Sequence, residues 1–129
     1  FTKEEMKVVW ETQKILGDET IAINPTAVRV PVFYGHSAAV HLETKSKITA
    51  KEAAKLIATM PGVKVIEGKY PYPTPVLDAA GKDDVFVGRI REDFSHSTGL
   101  NLWVVADNLR KGAALNAVQI VEKLAQFYL

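Results

Sequence analysis

Arg29 and His36 are the residues whose types and spacing could do chemistry. They stand in the run Asn24-Pro25-Thr26-Ala27-Val28-Arg29-Val30-Pro31-Val32-Phe33-Tyr34-Gly35-His36. A guanidinium fork matches a carboxylate with two parallel hydrogen bonds. An imidazole titrates near neutrality and moves protons in either direction. Residues 27–34 alternate as a β-strand, with Val28, Val30, Val32 and Tyr34 on one face and Arg29, Pro31 and Phe33 on the other. Pro31 has no N–H, which puts this strand at an edge or gives it a bulge. Gly35 then breaks the alternation and delivers His36. Read from these residues alone, the arginine would stack or meet a surface carboxylate, and a lone histidine at such a junction is more often structural than catalytic.

The elements that must position this run follow from the rest of the chain. Residues 2–16 read as a helix opened by a Thr2/Glu5 capping box and ended at Gly17-Asp18. Met6, Val9, Trp10 and Leu16 fall near one face, with Gln13 the polar exception. Glu4 and Lys7 are three residues apart on it, a spacing that by itself predicts a solvated ion pair. After Gly35, a strand alternates Ala38, Val40 and Leu42 with Ala39, His41 and Glu43, which places His41 on the surface. Thr49 and Glu52 form a second capping box for a helix ending near Met60, and residues 63–66 form a short strand. Tyr70-Pro71-Tyr72-Pro73-Thr74-Pro75 is extended, either as a polyproline ligand or as a packed loop at a subunit surface. Strands follow at 85–91, with Arg89 and Arg91 sharing a face, and at 100–106, the latter apolar enough to be central. Asp107-Asn108 caps a long apolar helix running to the C-terminus, and Gly112 near its start predicts a close contact there. Strands joined by direct loops predict an α+β domain: a mixed, largely antiparallel sheet with helices on one face, plus the long C-terminal helix.

The 129-residue chain has the composition of an ordinary globular domain, 47% hydrophobic and 24% charged. Its net charge of +1 gives no field suited to nucleic acid or an acidic membrane. No apolar run approaches a membrane span, no targeting segment is visible, and cytoplasm is the expected location. There is no cysteine, so disulfides, zinc thiolates and cysteine nucleophiles are absent from these residues. The three histidines are too scattered to read as a metal site. The chain opens at Phe1 directly on a helix cap, which reads as a piece of something longer.

The run from Asn24 to His36 resembles the C-terminal domain of aspartate-semialdehyde dehydrogenases. So do Glu4-Glu5-Met6-Lys7 with Glu11-Thr12-Gln13-Lys14, and the segment Asn101–Ala114, in the right order from end to end. The resemblance implies a glyceraldehyde-3-phosphate dehydrogenase-like C-terminal domain. It also implies a missing N-terminal NADP-binding domain and a missing segment bearing the catalytic cysteine. The family reaction is reversible. A cysteine thiolate attacks aspartate semialdehyde, hydride passes to NADP, and phosphate cleaves the thioester to aspartyl phosphate; biosynthesis of lysine, methionine and threonine uses the reverse direction. Carried over by position, Arg29 binds the substrate carboxylate, His36 is the general acid/base, Lys7 holds phosphate, Glu4 helps position the substrate and Asn108 approaches the nicotinamide. The resemblance further implies a homodimer, or a tetramer. Residues 1–106 would be the substrate-binding and dimerisation part, and 107–129 a helix packed on the missing NADP domain. Ala27 stands where many relatives carry a cysteine that is not the nucleophile. The competing readings are a related acyl-phosphate reductase and a non-catalytic dimerisation or regulatory paralogue.

Overall fold

The computed structural model describes residues 1–128, which fall into two compact units, residues 1–31 and the residues from 32 onwards.

The first unit is built on α1 (Lys3–Leu16). The capping box forms as the sequence predicts: the Glu5 N–H donates to Thr2 Oγ1, and the Thr2 N–H to Glu5 Oε2. Gly17 ends the helix in the left-handed region at φ +65°. Gln13, the polar exception on the apolar face, turns back on the connector, where its amide donates to the carbonyls of Glu19 and Ile21. The predicted strand over 27–34 does not form: these residues carry no ladder, and Val28 and Val30 are exposed. Alternation predicts extended backbone, but a strand also needs a partner edge, and Pro31 withholds one of the N–H groups that edge would use.

The second unit is a four-stranded mixed sheet ordered β1-β4-β3-β2, from β1 (His36–Glu43), β2 (Val63–Val65), β3 (Val85–Glu92) and β4 (Gly99–Ala106). The β1/β4 and β4/β3 pairs are antiparallel, and β2/β3 is parallel. The apolar strand at 100–106 is interior, as its composition predicts, and the α+β class holds. His36 begins β1 rather than following a strand, opposite Ala106 of β4. The helix α2 (Ala50–Ala58) has its Thr49/Glu52 capping box, buries Ala53 and packs on β2 and β3.

The Pro/Tyr loop is held by its own sheet, which removes the free polyproline reading. Pro73 is fully buried, the Trp103 indole donates to its carbonyl at 2.8 Å, and the Arg89 N–H donates to the Pro71 carbonyl at 2.8 Å. The loop lies so close on Gly88 that a Cβ there would sit 2.4 Å from the Pro71 oxygen. The register of β3 shifts between Gly88 and Arg91, and Arg89 takes φ +52° in that bulge, so the alternation that would put Arg89 and Arg91 on one face is broken. A π-helical turn (Pro75–Ala79) follows, and its Ala79 joins Phe86 and Val105 in the core. The C-terminal segment starts as a π-helical turn (Arg110–Ala114) and continues as α3 (Leu115–Tyr128). Gly112 lies in the wide turn, where an added Cβ would meet only Asn108 Cβ, at 4.0 Å. The close contact expected at Gly112 is therefore not made with another element among the described residues.

Candidate substrate-binding site

In the first unit, Glu4, Lys7 and Arg29 are exposed. Lys7 pairs with Glu11 one helical turn on, at 3.5 Å, rather than with Glu4 as the three-residue spacing suggested. Arg29 makes no ion pair or side-chain hydrogen bond among the described residues of its unit. What fixes its backbone is Glu5. One carboxylate oxygen closes the capping box; the other accepts the Ala27 N–H at 2.9 Å, two residues before Arg29. The Thr2 and Ala27 N–H groups hold the Glu5 carboxyl below the usual glutamate range. The capping box was visible in the sequence; the second use of the same carboxylate had no local signal.

In the second unit the structure brings the surroundings of His36 and Asn108 together. Gly35 adopts φ +96°, and its N–H donates to Asn108 Oδ1 at 2.7 Å, a contact spanning 73 residues. Asp107, buried beside Asn108, accepts the N–H groups of Gly81, Leu109 and Arg110. The Gly81 N–H first, then those of Leu109 and Arg110, hold its carboxyl below the usual aspartate range although burial opposes this. Arg110 in turn pairs with Asp83. The His36 ring is exposed and makes no hydrogen bond among the described residues. His41 and His96 lie elsewhere, among Glu43, Asp93 and Thr98, and no group of three or more metal-ligating side chains occurs among the described residues.

Residues 1–111 match the family model described as semialdehyde dehydrogenase, dimerisation domain. The chain belongs to this family. Among curated relatives, this dimerisation domain is 62% identical to the aspartate-semialdehyde dehydrogenase of Legionella pneumophila, over 100% of the chain and 38% of the relative. It is 59% identical to that of Shewanella violacea, covering 99% of the chain and again 38% of the relative. Among solved structures it superposes on aspartate semialdehyde dehydrogenase II from Vibrio cholerae, complexed with ASA, with a TM-score of 0.95 and 57% identity, over 100% of this chain and 38% of that one. A probable aspartate-semialdehyde dehydrogenase from Pseudomonas aeruginosa gives 0.89 at 37% identity, covering 99% of this chain and 38% of that one. The domain thus spans well under half the length of the relatives it matches.

Proposed function

We propose that this domain is the substrate-binding and dimerisation part of an NADP-dependent aspartate-semialdehyde dehydrogenase, converting aspartate 4-semialdehyde and phosphate reversibly to 4-aspartyl phosphate. The observation that carries the reading is Arg29: its backbone is tethered nearby through the Glu5–Ala27 bond, while its guanidinium meets no carboxylate among the described residues of its unit and is open to one on a ligand. The ASA bound in the Vibrio cholerae relative supports the same substrate class.

In this reading Arg29 grips the α-carboxylate and Glu4 helps orient the substrate. Lys7 supplies positive charge for phosphate; its pairing with Glu11 is exposed and weak enough to exchange for a doubly charged anion. His36 takes the thiol proton and later moves a proton at the substrate oxygen. The cysteine comes from outside this sequence, which has none, and the domain alone is inactive. The residues fit NADP to the extent of one contact: with Oδ1 of Asn108 on an N–H, its Nδ2 remains as a donor suited to the nicotinamide carboxamide. NADP, when bound, accepts or gives up the hydride; its main binding surface lies outside this chain. The last helix packs on that surface, since Val121 and Phe127 of α3 are exposed here. Two domains associate in a homodimer, or in a tetramer built from dimers. The enzyme serves lysine, methionine and threonine biosynthesis in the cytoplasm.

The test is an intact mass of the source polypeptide, followed by a phosphate- and NADP-dependent semialdehyde oxidation assay on it. Activity in a polypeptide well above 14.2 kDa is the expected result. A complete polypeptide that dimerises but never turns over semialdehyde removes the enzyme reading in favour of a non-catalytic paralogue, and turnover of a different acyl phosphate favours the related reductase.

A further inference from the structure

His36 has no side-chain hydrogen bond among the described residues to aim its ring, so its direction depends on how firmly the backbone entering β1 is held. Two contacts hold it. His36 is opposite Ala106 in the β1/β4 ladder, and Gly35 donates its N–H to Asn108 Oδ1 at 2.7 Å. At φ +96° Gly35 lies close against the π-helical turn and leaves no room for a side chain: an added Cβ would be 2.8 Å from Pro75 Cβ and 3.4 Å from the Ala106 carbonyl oxygen. Asn108 is held in turn, because the buried Asp107 carboxylate beside it fastens the next two N–H groups and that of Gly81.

We infer that Asn108 is a positioning residue for His36: its side-chain oxygen pins the Gly35 N–H and so fixes the direction from which the imidazole leaves the sheet. The chemistry of the pair assigns the amide's orientation. Its partner is an N–H, so the oxygen must face Gly35 and the NH₂ must face away. The two ends of one amide therefore do separable work, the oxygen on His36 and the nitrogen on the cofactor. This deepens the proposed function and rests on His36 being the proton-transfer group. Displacing a reacting group by about 1 Å costs up to roughly a hundredfold in rate, which sets the scale expected if the tie is cut.

The experiment uses the complete enzyme with Asn108→Ala, Asn108→Asp and His36→Asn. Three quantities are read: hydrogen exchange at the Gly35 amide, kcat against pH at saturating NADP, and KM for NADP. Asn108→Ala is expected to speed Gly35 exchange at least tenfold and lower kcat ten- to a hundredfold. Asn108→Asp keeps an acceptor but has no donor, so it should keep Gly35 protected and restore most of kcat while raising KM for NADP. Turnover must track Gly35 protection through the series. A variant that loses tenfold in kcat with Gly35 still protected overturns the inference, as does one that exposes Gly35 and keeps wild-type turnover. If Asn108→Ala does not fold, Asn108→Asp is judged by the same rule. His36→Asn separates this from the reading beneath it: wild-type turnover there removes His36 as the acid/base, whereas the Gly35 exchange data still report whether Asn108 holds the backbone.

Discussion

The guanidinium of Arg29 can be weighed against a charge of the same sign. Arg29→Lys keeps the charge and loses the planar fork, so in the complete enzyme the semialdehyde KM should rise about tenfold or more while kcat and folding hold. An unchanged KM would take Arg29 out of the carboxylate role. Glu5 belongs beside it. Both its oxygens are used, one by Thr2 N–H and one by Ala27 N–H, and a glutamine has only one oxygen to offer. Glu5→Gln should therefore raise the semialdehyde KM severalfold and change kcat much less. If the segment is held elsewhere, KM will stay at wild type. The Glu5 carboxyl titrates below its usual range in the folded state. Its hold on residue 27 is accordingly complete above about pH 4.3, and is lost as pH falls through the folded-state value.

Elements explain why some of this was legible and some was not. Both capping boxes were readable because their partners are three residues apart, Thr2 with Glu5 and Thr49 with Glu52. The interior strand at 100–106 was readable from its unbroken apolar run, and Gly35 from the break it makes in an alternation. The strand assigned to 27–34 failed because alternation reports which way side chains point and says nothing of an edge to pair with. The candidate site residues were proposed from their types and their match to a known pattern. The Gly35–Asn108 and Glu5–Ala27 bonds were not, because they join positions 73 and 22 apart and leave no mark at either one. The α2 helix bears none of the proposed site residues, which makes it a clean control. Thr49→Ala should cost about 1 kcal/mol and lower the midpoint of thermal unfolding by roughly 2–4 °C, with kcat and both KM values unchanged. A loss of turnover would mean α2 does more than support the sheet.

At the scale of the whole molecule, acid should attack the second unit where its last helix joins the sheet. Asp107 is buried in this unit, and its carboxylate ties together three N–H groups from the turn before β3 and from the start of the C-terminal segment. Those bonds lower its folded-state pKa, with Gly81 the largest cause. The sign follows directly. Between the folded and the unfolded pKa, the unfolded chain binds the proton and the folded chain does not, so protonation favours unfolding. The stability Asp107 contributes is therefore present above the unfolded value of about 3.9 and disappears as pH falls through the folded one. The thermal midpoint should drop steeply below about pH 4. Asp107→Asn should start lower at pH 7, since one oxygen cannot replace two, and should then show a shallower fall with acid, because its amide has no proton to gain. Melting curves from pH 7 to pH 3 on the complete enzyme measure both slopes. Parallel curves for the two proteins would mean that other carboxylates, Asp93 and Glu52 among them, carry the acid response. A shallower curve for Asp107→Asn places it at the junction that also holds Asn108, where loss of the Gly35 tie should accompany the same titration.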